Sequence, residues 1–318
     1  MTQISSLNVS QLVTGVTQLS DVIFIIHSHT NAVLSFNQSF FQLGTFNVSA
    51  LRYPNDMSAS VTNQCIYVAD YWTGCVWKVT LEHQVQEFAI QQDASTLSVT
   101  TDGRVYVITS GGSTMTLFNQ DGEVIQAYNL DALGYNSTQH IVETYSGNWI
   151  LAQADSVSNI HRIYEVDCQG SLINSYGSHR GSEPGQLNLP VHIALDHTSG
   201  RVFVADARNY RVLMFDVQLR LLSVVLTVAD SNLPWRLSLD SSTLVVGLTG
   251  KGTVRVYNVC PSTSNISNVT SNSGQFNGEQ RTCHNLKRTT AALDQTAAAT
   301  TPSSNGKFIT SFELFCYI

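Results

Sequence analysis

The stretch from residue 177 to residue 217 limits the fold most, because it contains one complete structural repeat. A glycine-rich turn leads to Pro190, after which His192 to Asp196 alternates as a β-strand does. A His-Thr-Ser-Gly turn precedes a second strand at 202–206, and a polar turn precedes a third at 212–216. A unit of about 40 residues cannot bury its own apolar face, so neighbouring copies are expected.

Copies of the second strand recur along the chain. They end at His27, Asp70, Thr109, Gln153, Asp206 and Leu248, separated by 43, 39, 44, 53 and 42 positions. A third strand ends ten positions later in five copies, and 14 positions later in the fourth copy. A period of about 40 to 50 residues is typical of propeller blades. The sequence therefore predicts an all-β chain that forms a six-bladed β-propeller over residues 1–260.

The ends of such a ring must be joined, because an open sheet edge can pair with other chains. Inner strands are predicted around 12–16, 57–61, 97–101, 141–145, 193–197 and 237–241. The last repeat has no outer strand after Asn258, whereas the residues before Leu12 belong to no repeat. We therefore expect the segment 3–9 to supply the missing strand, with 308–318 as the alternative.

The Val-Ala-Asp ending at Asp206, followed by Asn209 and Arg211, resembles the NHL repeat of six-bladed β-propellers. The resemblance implies that these three residues are a structural signature, in which charge-assisted hydrogen bonds tie the hairpin loop. Asp70 matches the acidic residue, but Thr73 and Cys75 replace the other two, so that loop must be held differently. Such propellers commonly serve as scaffold or substrate-recognition modules, including in ubiquitin ligases, although this sequence has no RING or B-box cysteine pattern.

Composition narrows the classes of partner. The net charge of −7 with scattered Lys and Arg argues against nucleic acid, since phosphate binding needs a clustered basic face. No apolar run reaches the roughly 20 residues of a membrane span. Residues 261–318 are rich in Ser, Thr and Asn and are predicted to be a disordered tail. We expect a monomeric propeller that binds a protein partner and needs no cofactor, in a compartment that the sequence leaves open.

The positions that precede the inner strands are expected to line the central channel. They are Leu12, Asp56, Thr96, His140, His192 and Arg236. Two histidines and an aspartate are metal-ligand types, and some six-bladed propellers are metal-dependent hydrolases or lyases. Arg236 in the same ring would repel a cation. We therefore interpret the ring as channel-lining polar residues, and we expect neither a metal nor a catalytic residue.

Two aromatic loops are candidates for binding. Tyr71 and Trp72 follow the second strand of the second repeat, and Asn209 and Tyr210 occupy the equivalent loop of the fifth, so both should lie on one face. Exposed aromatic side chains often anchor partners. The leading hypothesis is a non-catalytic propeller that holds a protein partner through these loops. The alternatives are a metal-dependent hydrolase or lyase at the channel, and a secreted or membrane-anchored ligand-binding ectodomain.

Overall fold

A computed structural model describes residues 1–9, 11–228, 232–240 and 242–259. The predicted tail at 261–318 lies outside the described residues, as does the alternative closing segment at 308–318. Within them, 24 strands form six four-stranded antiparallel sheets, which are the six blades of a β-propeller. The predicted fold class is confirmed. No helix of the described part is long and apolar enough to cross a membrane.

Each blade has an inner, a second, a third and an outer strand, and the inner strands of neighbouring blades contact one another around the centre. The inner strands are β2 (Val13–Leu19), β6 (Pro54–Ser60), β10 (Ala94–Val99), β14 (Thr138–Glu143), β18 (Pro190–Leu195) and β22 (Pro234–Asp240). The second strands are β3 (Val22–His27), β7 (Cys65–Asp70), β11 (Val105–Thr109), β15 (Trp149–Asp155), β19 (Val202–Asp206) and β23 (Thr243–Leu248). The third strands are β4 (Ala32–Asn37), β8 (Cys75–Thr80), β12 (Thr114–Phe118), β16 (Ile160–Val166), β20 (Arg211–Phe215) and β24 (Thr253–Asn258). The outer strands are β5 (Gln42–Asn47), β9 (Val85–Ile90), β13 (Val124–Asn129), β17 (Leu172–His179), β21 (Leu221–Thr227) and β1 (Thr2–Asn8).

The N-terminal strand closes the ring, as the unmatched last repeat predicts. β1 pairs antiparallel with β24, from Thr2 opposite Asn258 to Asn8 opposite Thr253, and becomes the outer strand of blade 6. The last blade therefore combines strands from both ends of the repeat array, and it has the same four strands as the others.

Apolar side chains fill the space between every pair of neighbouring blades. Six buried clusters lie between successive blades, and one of them joins blade 6 to blade 1 through Val13, Ile25, Val245 and Val256. Burial of apolar surface stabilises a fold by about 25 cal/mol per Å². Because each cluster is shared by two blades, no blade buries its faces alone.

The predicted second strands have the correct register in all six blades. Asp206, for example, pairs with Pro190 at the start of the inner strand, and the five equivalent residues pair in the same way. In five blades, however, the inner strand begins about three residues before its predicted start, at Pro190 rather than Ile193 in blade 5. Each inner strand contains a β-bulge after its first residue, as between Pro190 and His192. A bulge breaks the alternation of side chains, so the period-two pattern becomes regular only after it.

The two faces of the disc carry different loops. Inner strands begin on what we call the lower face, which also carries the connections between blades and the turns from second to third strands. Inner strands end on the upper face, which carries the turns from inner to second strands and from third to outer strands. The turns containing Trp72 and Tyr210 both lie on the lower face.

Candidate functional site

The six bulges place one residue of each inner strand at the same level of the channel. These ring residues are Gly15, Asp56, Thr96, His140, His192 and Arg236, each directly after the register shift. Five of them are the predicted residues. The prediction of Leu12 for blade 1 is wrong, because the alternation in β2 gives no sign of the bulge, and Gly15 occupies the position.

Asp56 and Arg236 form a buried ion pair that crosses the ring between blades 2 and 6. The Arg236 Nε atom lies 3.0 Å from Asp56 Oδ1, and both side chains are buried. Asp56 also accepts hydrogen bonds from the Thr96 hydroxyl at 2.5 Å and from the backbone N–H groups of Leu97 and Met57. Burial raises the pKa of Asp56, and the charge of Arg236 opposes that shift. The guanidinium donates further hydrogen bonds to backbone carbonyls of blades 1 and 2.

His140 and His192 stack beside this pair. Their ring centroids are 3.7 Å apart and the ring planes meet at 29°. The Nδ1 atom of His140 accepts from the backbone N–H of Ile193, and Nδ1 of His192 accepts from that of Leu237, each from the next blade. Burial lowers the pKa of His140 to about 3, with the charge of Arg236 adding to the shift. Burial also lowers the pKa of His192 well below its usual value, and the neighbouring His140 and the charge of Arg236 lower it further.

Asp56, His140 and His192 are close enough to be considered as a metal centre, since one potential ligand atom from each lies within 4.8 Å of the others. Their hydrogen bonds do not suit that role. A neutral imidazole whose Nδ1 accepts a hydrogen bond carries its proton on Nε2, which then has no lone pair for a metal. The carboxylate already accepts from three donors and is paired with a guanidinium. The ring side chains instead accept hydrogen bonds from the inward-facing backbone N–H groups of neighbouring blades.

A funnel opens above the ring towards the upper face. Its volume is about 420 Å³, all six inner strands line it, and His140 and His192 lie at its floor. The next residues of the wall are small, because the positions two after the ring are Thr17, Ser58, Ser98, Val142, Ala194 and Ser238. Sequence reasoning missed this funnel, although the recurrence of small residues two positions after the ring could have indicated it.

On the lower face, the predicted signature of blade 5 forms a buried polar cluster. The Asp206 carboxylate is fully buried and accepts from Arg211 Nε at 2.7 Å and from Asn209 Nδ2 at 2.8 Å. Asp206 Oδ1 accepts from the backbone N–H of Asn188, and Arg211 donates to carbonyls of the glycine-rich loop, including that of Gln186. Burial raises the pKa of Asp206, while these hydrogen bonds lower it. The three residues tie the loop before β18 to the hairpin after β19.

The equivalent loop of blade 2 is held by backbone groups instead. Asp70 Oδ2 accepts from the N–H of Arg52 at 2.5 Å, and Oδ1 accepts from the N–H groups of Trp72 and Thr73 at 3.1 Å. The prediction that this loop is held without an arginine is confirmed. The Trp72 side chain is 76% exposed, so the turn displays it to solvent. The backbone of the turn is therefore fixed by hydrogen bonds while the indole extends into solvent.

The Tyr210 side chain is 39% exposed on the turn after β19, and its backbone has φ of 55°. The equivalent residue of blade 2 is Gly74, with φ of 65°. A non-glycine residue in this left-handed region costs about 1 kcal/mol. Asn209 is engaged with Asp206, and Tyr71 is half-buried, so Trp72 and Tyr210 are the exposed members of the predicted binding set. Blades 2 and 5 are three positions apart in the ring, which places the two on opposite sides of the lower face.

No protein-family model and no curated protein sequence matches this chain. Solved structures do resemble it. A protein of unknown function from Bacteroides thetaiotaomicron has a TM-score of 0.62 at 13% identity, over 78% of this chain and 69% of that chain. A chain of a nidogen/laminin complex has a TM-score of 0.60 at 14% identity, over 75% and 89%. A catalytically inactive variant of virginiamycin B lyase from Staphylococcus aureus, with quinupristin, has a TM-score of 0.56 at 9% identity, over 78% and 80%. At these identities the likeness shows the fold alone, and the chain is a six-bladed β-propeller.

Proposed function

We propose that this chain is a non-catalytic protein-interaction propeller of the NHL-repeat type, which binds a protein partner through its lower face. The observation that carries the proposal is Trp72, an indole that is 76% exposed at the tip of a turn fixed by a buried carboxylate. Tryptophan is enriched among the residues that dominate binding energy at interfaces. Holding the turn rigid lowers the entropy cost of binding.

Tyr210 supports the same face. A tyrosine occupies the left-handed region where blade 2 has a glycine, at a cost in stability, and its side chain is partly exposed. Strained residues of this kind cluster at binding sites. Because Trp72 and Tyr210 lie on opposite sides of the ring, a partner that contacts both must span the lower face. An extended segment or a whole domain fits that requirement, whereas a small molecule does not.

The NHL assignment rests on the Asp206, Asn209 and Arg211 cluster, whose contacts are those that the repeat signature implies. Recognition of substrates for a ubiquitin ligase is one instance of the proposed function. The competing hypothesis of a metal-dependent hydrolase or lyase is disfavoured by the ring, because its imidazole and carboxylate acceptors are already engaged.

The test is quantitative affinity enrichment from the native cell type with four tagged proteins: wild type, Trp72→Ala, Tyr210→Gly, and Ile125→Ala as a control on the outer strand of blade 3. Tyr210→Gly removes the ring yet suits the backbone, so it should change the free energy of unfolding by no more than about 1 kcal/mol. We expect a partner that wild type and the control retain, and that both lower-face variants lose.

The candidate partner is then purified and titrated calorimetrically against the same four proteins. Loss of Trp72 should weaken binding by about 2 kcal/mol or more, which is the usual cost of removing a central aromatic anchor. Partners that bind both lower-face variants as tightly as wild type would contradict the proposal.

A further inference from the structure

The funnel on the upper face has the shape of a binding site for one long side chain. It is about 420 Å³ in volume, it is open at the top, and the two stacked imidazoles close it below. Its wall offers the hydroxyl groups of Ser58, Ser98 and Ser238, which can accept hydrogen bonds from an entering N–H donor. Burial keeps both imidazoles of the floor neutral at pH 7, and the Arg236 guanidinium beside them is paired with Asp56. A cation that enters the funnel therefore meets neutral rings at the floor, and the Arg236 charge beneath them is compensated by Asp56.

The mouth of the funnel is acidic. Five of the six blades place a carboxylate at the upper end of the inner strand or in the turn that follows it. These residues are Asp21, Asp102, Glu143, Asp196 and Asp240. Glu143 and Asp240 line the funnel directly. A concave site ringed by one sign of charge focuses the field and attracts ligands of the opposite sign.

The cations at this mouth do not neutralise the charge. Arg104 is shared by two carboxylates, with its Nε atom 2.8 Å from Asp102 and its Nη2 atom 3.1 Å from Glu143. Arg201 lies in the same turn as Asp196, in blade 5. Asp240 of blade 6 lies near Asp21 of blade 1. Burial raises the pKa of Asp240, and the negative charge of Asp21 raises it further. The described residues thus leave a net negative charge at the mouth.

The lower face differs in this respect. Its connections between blades and its turns carry Arg52, Arg180, Arg208 and Lys251, which balance the carboxylates of Asp93, Asp131, Asp155 and Glu183. The acidic excess of the described residues is therefore concentrated on the face where the funnel opens. Charge complementarity favours a basic partner there, and it disfavours a polyanion such as nucleic acid.

We propose that the upper face binds a basic peptide segment of a partner protein, and that one arginine or lysine side chain of the segment enters the funnel. The carboxylates of the mouth attract the segment, and the serine hydroxyls of the wall accept hydrogen bonds from the inserted cationic group. This site is separate from the lower-face surface, so variants of one site leave the other intact.

The experiment uses the full chain and a nine-residue probe peptide of glycine and serine with three arginines. The control probe has citrulline at the three positions, which keeps the shape and removes the charge. Binding is measured by isothermal titration calorimetry at low and at physiological ionic strength. The arginine peptide should bind at least about tenfold more tightly than the citrulline peptide, and salt should weaken only the former.

Two kinds of variant locate the site. Asp240→Asn should weaken the arginine peptide about fivefold, whereas Asp131→Asn, an exposed carboxylate on the lower face, should change its affinity less than about twofold. Ser98→Phe fills the funnel and should abolish binding. If this variant folds poorly, Ser58→Phe on the adjacent blade fills the same space and serves in its place. Circular dichroism verifies the fold of each variant.

Three results would overturn the proposal. Equal affinity for the citrulline peptide would show that charge is not recognised. An equal effect of Asp131→Asn and Asp240→Asn would show diffuse attraction to an acidic protein. Wild-type affinity in a folded phenylalanine variant would show that the segment stays outside the funnel.

Discussion

Replacing Asp56 by asparagine tests the ring most directly. The substitution keeps the shape of the side chain but leaves the Arg236 guanidinium, which is buried with its Nε atom 3.0 Å from Asp56, without a counter-ion. Breaking a buried ion pair by removing one partner costs about 3–5 kcal/mol. The amide oxygen of the asparagine can still accept from some of the three donors Met57, Thr96 and Leu97. Its NH₂ group, which cannot accept, then faces the remaining donors.

For a domain of this size, 1 kcal/mol corresponds to a change in Tm of roughly 2–4 °C, so Asp56→Asn should lower the Tm by roughly 6–20 °C. The assay is urea unfolding together with differential scanning calorimetry. The matched control is Arg220→Met, which breaks the exposed pair with Asp216 at 2.6 Å and should cost less than about 1 kcal/mol.

The double variant Asp56→Asn/Arg236→Met removes the uncompensated charge and should recover a large part of the loss, because apolar replacement of a buried pair is often nearly neutral. If Asp56→Asn cost no more than Arg220→Met, or if the double variant were less stable than the single one, the ring would not be a coupled network of charges.

Three further predictions address the ring, its closure and metal binding. The folded-state pKa of His140, about 3, lies below its unfolded value of about 6.5, so its contribution to stability is present above pH 6.5 and is lost as the pH falls towards 3. Between pH 6.5 and 5 the free energy of unfolding should fall by about 2 kcal/mol through this histidine. In urea unfolding, the stability of His140→Gln should therefore fall about 2 kcal/mol less than that of wild type over this range. An unchanged pH dependence in the variant would refute the assignment. Deleting residues 2–8 exposes the edge of β24. The deletion should lower the Tm by more than about 10 °C in calorimetry and promote self-association, which light scattering detects. An unaltered Tm would mean that β1 is dispensable. Elemental analysis of protein purified without chelator should find no stoichiometric zinc or calcium, and a metal that is lost in His140→Ala/His192→Ala would restore the enzyme hypothesis.

The fold could be predicted from the sequence because the same pattern of strands and turns occurs six times along the chain. A single copy, such as the one around Asp206, defines three strands, and the spacing of the others fixes the number of blades. Closure by β1 followed from the one outer strand that was missing after Asn258. The early starts of the inner strands could not be predicted, because the bulge at positions such as Pro190 to His192 breaks the alternation on which strand recognition depends.

The site could be predicted only in part. The ring residues of five blades were found by counting, but their roles depend on contacts between different blades. His140 accepts from Ile193, 53 positions later, and no local pattern predicts which backbone N–H turns inward. The funnel depends on the absence of side-chain volume at positions such as Ser58 and Ser98, which is a weaker signal in sequence than a histidine or an aspartate.

The pairing of β1 with β24 also determines how the ring responds to mechanical force. Thr2 lies directly opposite Asn258, so both ends of the described propeller leave the upper face at the same edge of blade 6. Tension that separates Met1 from Val259 would load the interstrand hydrogen bonds one after another, as in opening a zipper, rather than all together in shear. The blade that closes the ring would thus yield first under load, while the five blades formed from consecutive strands remain paired.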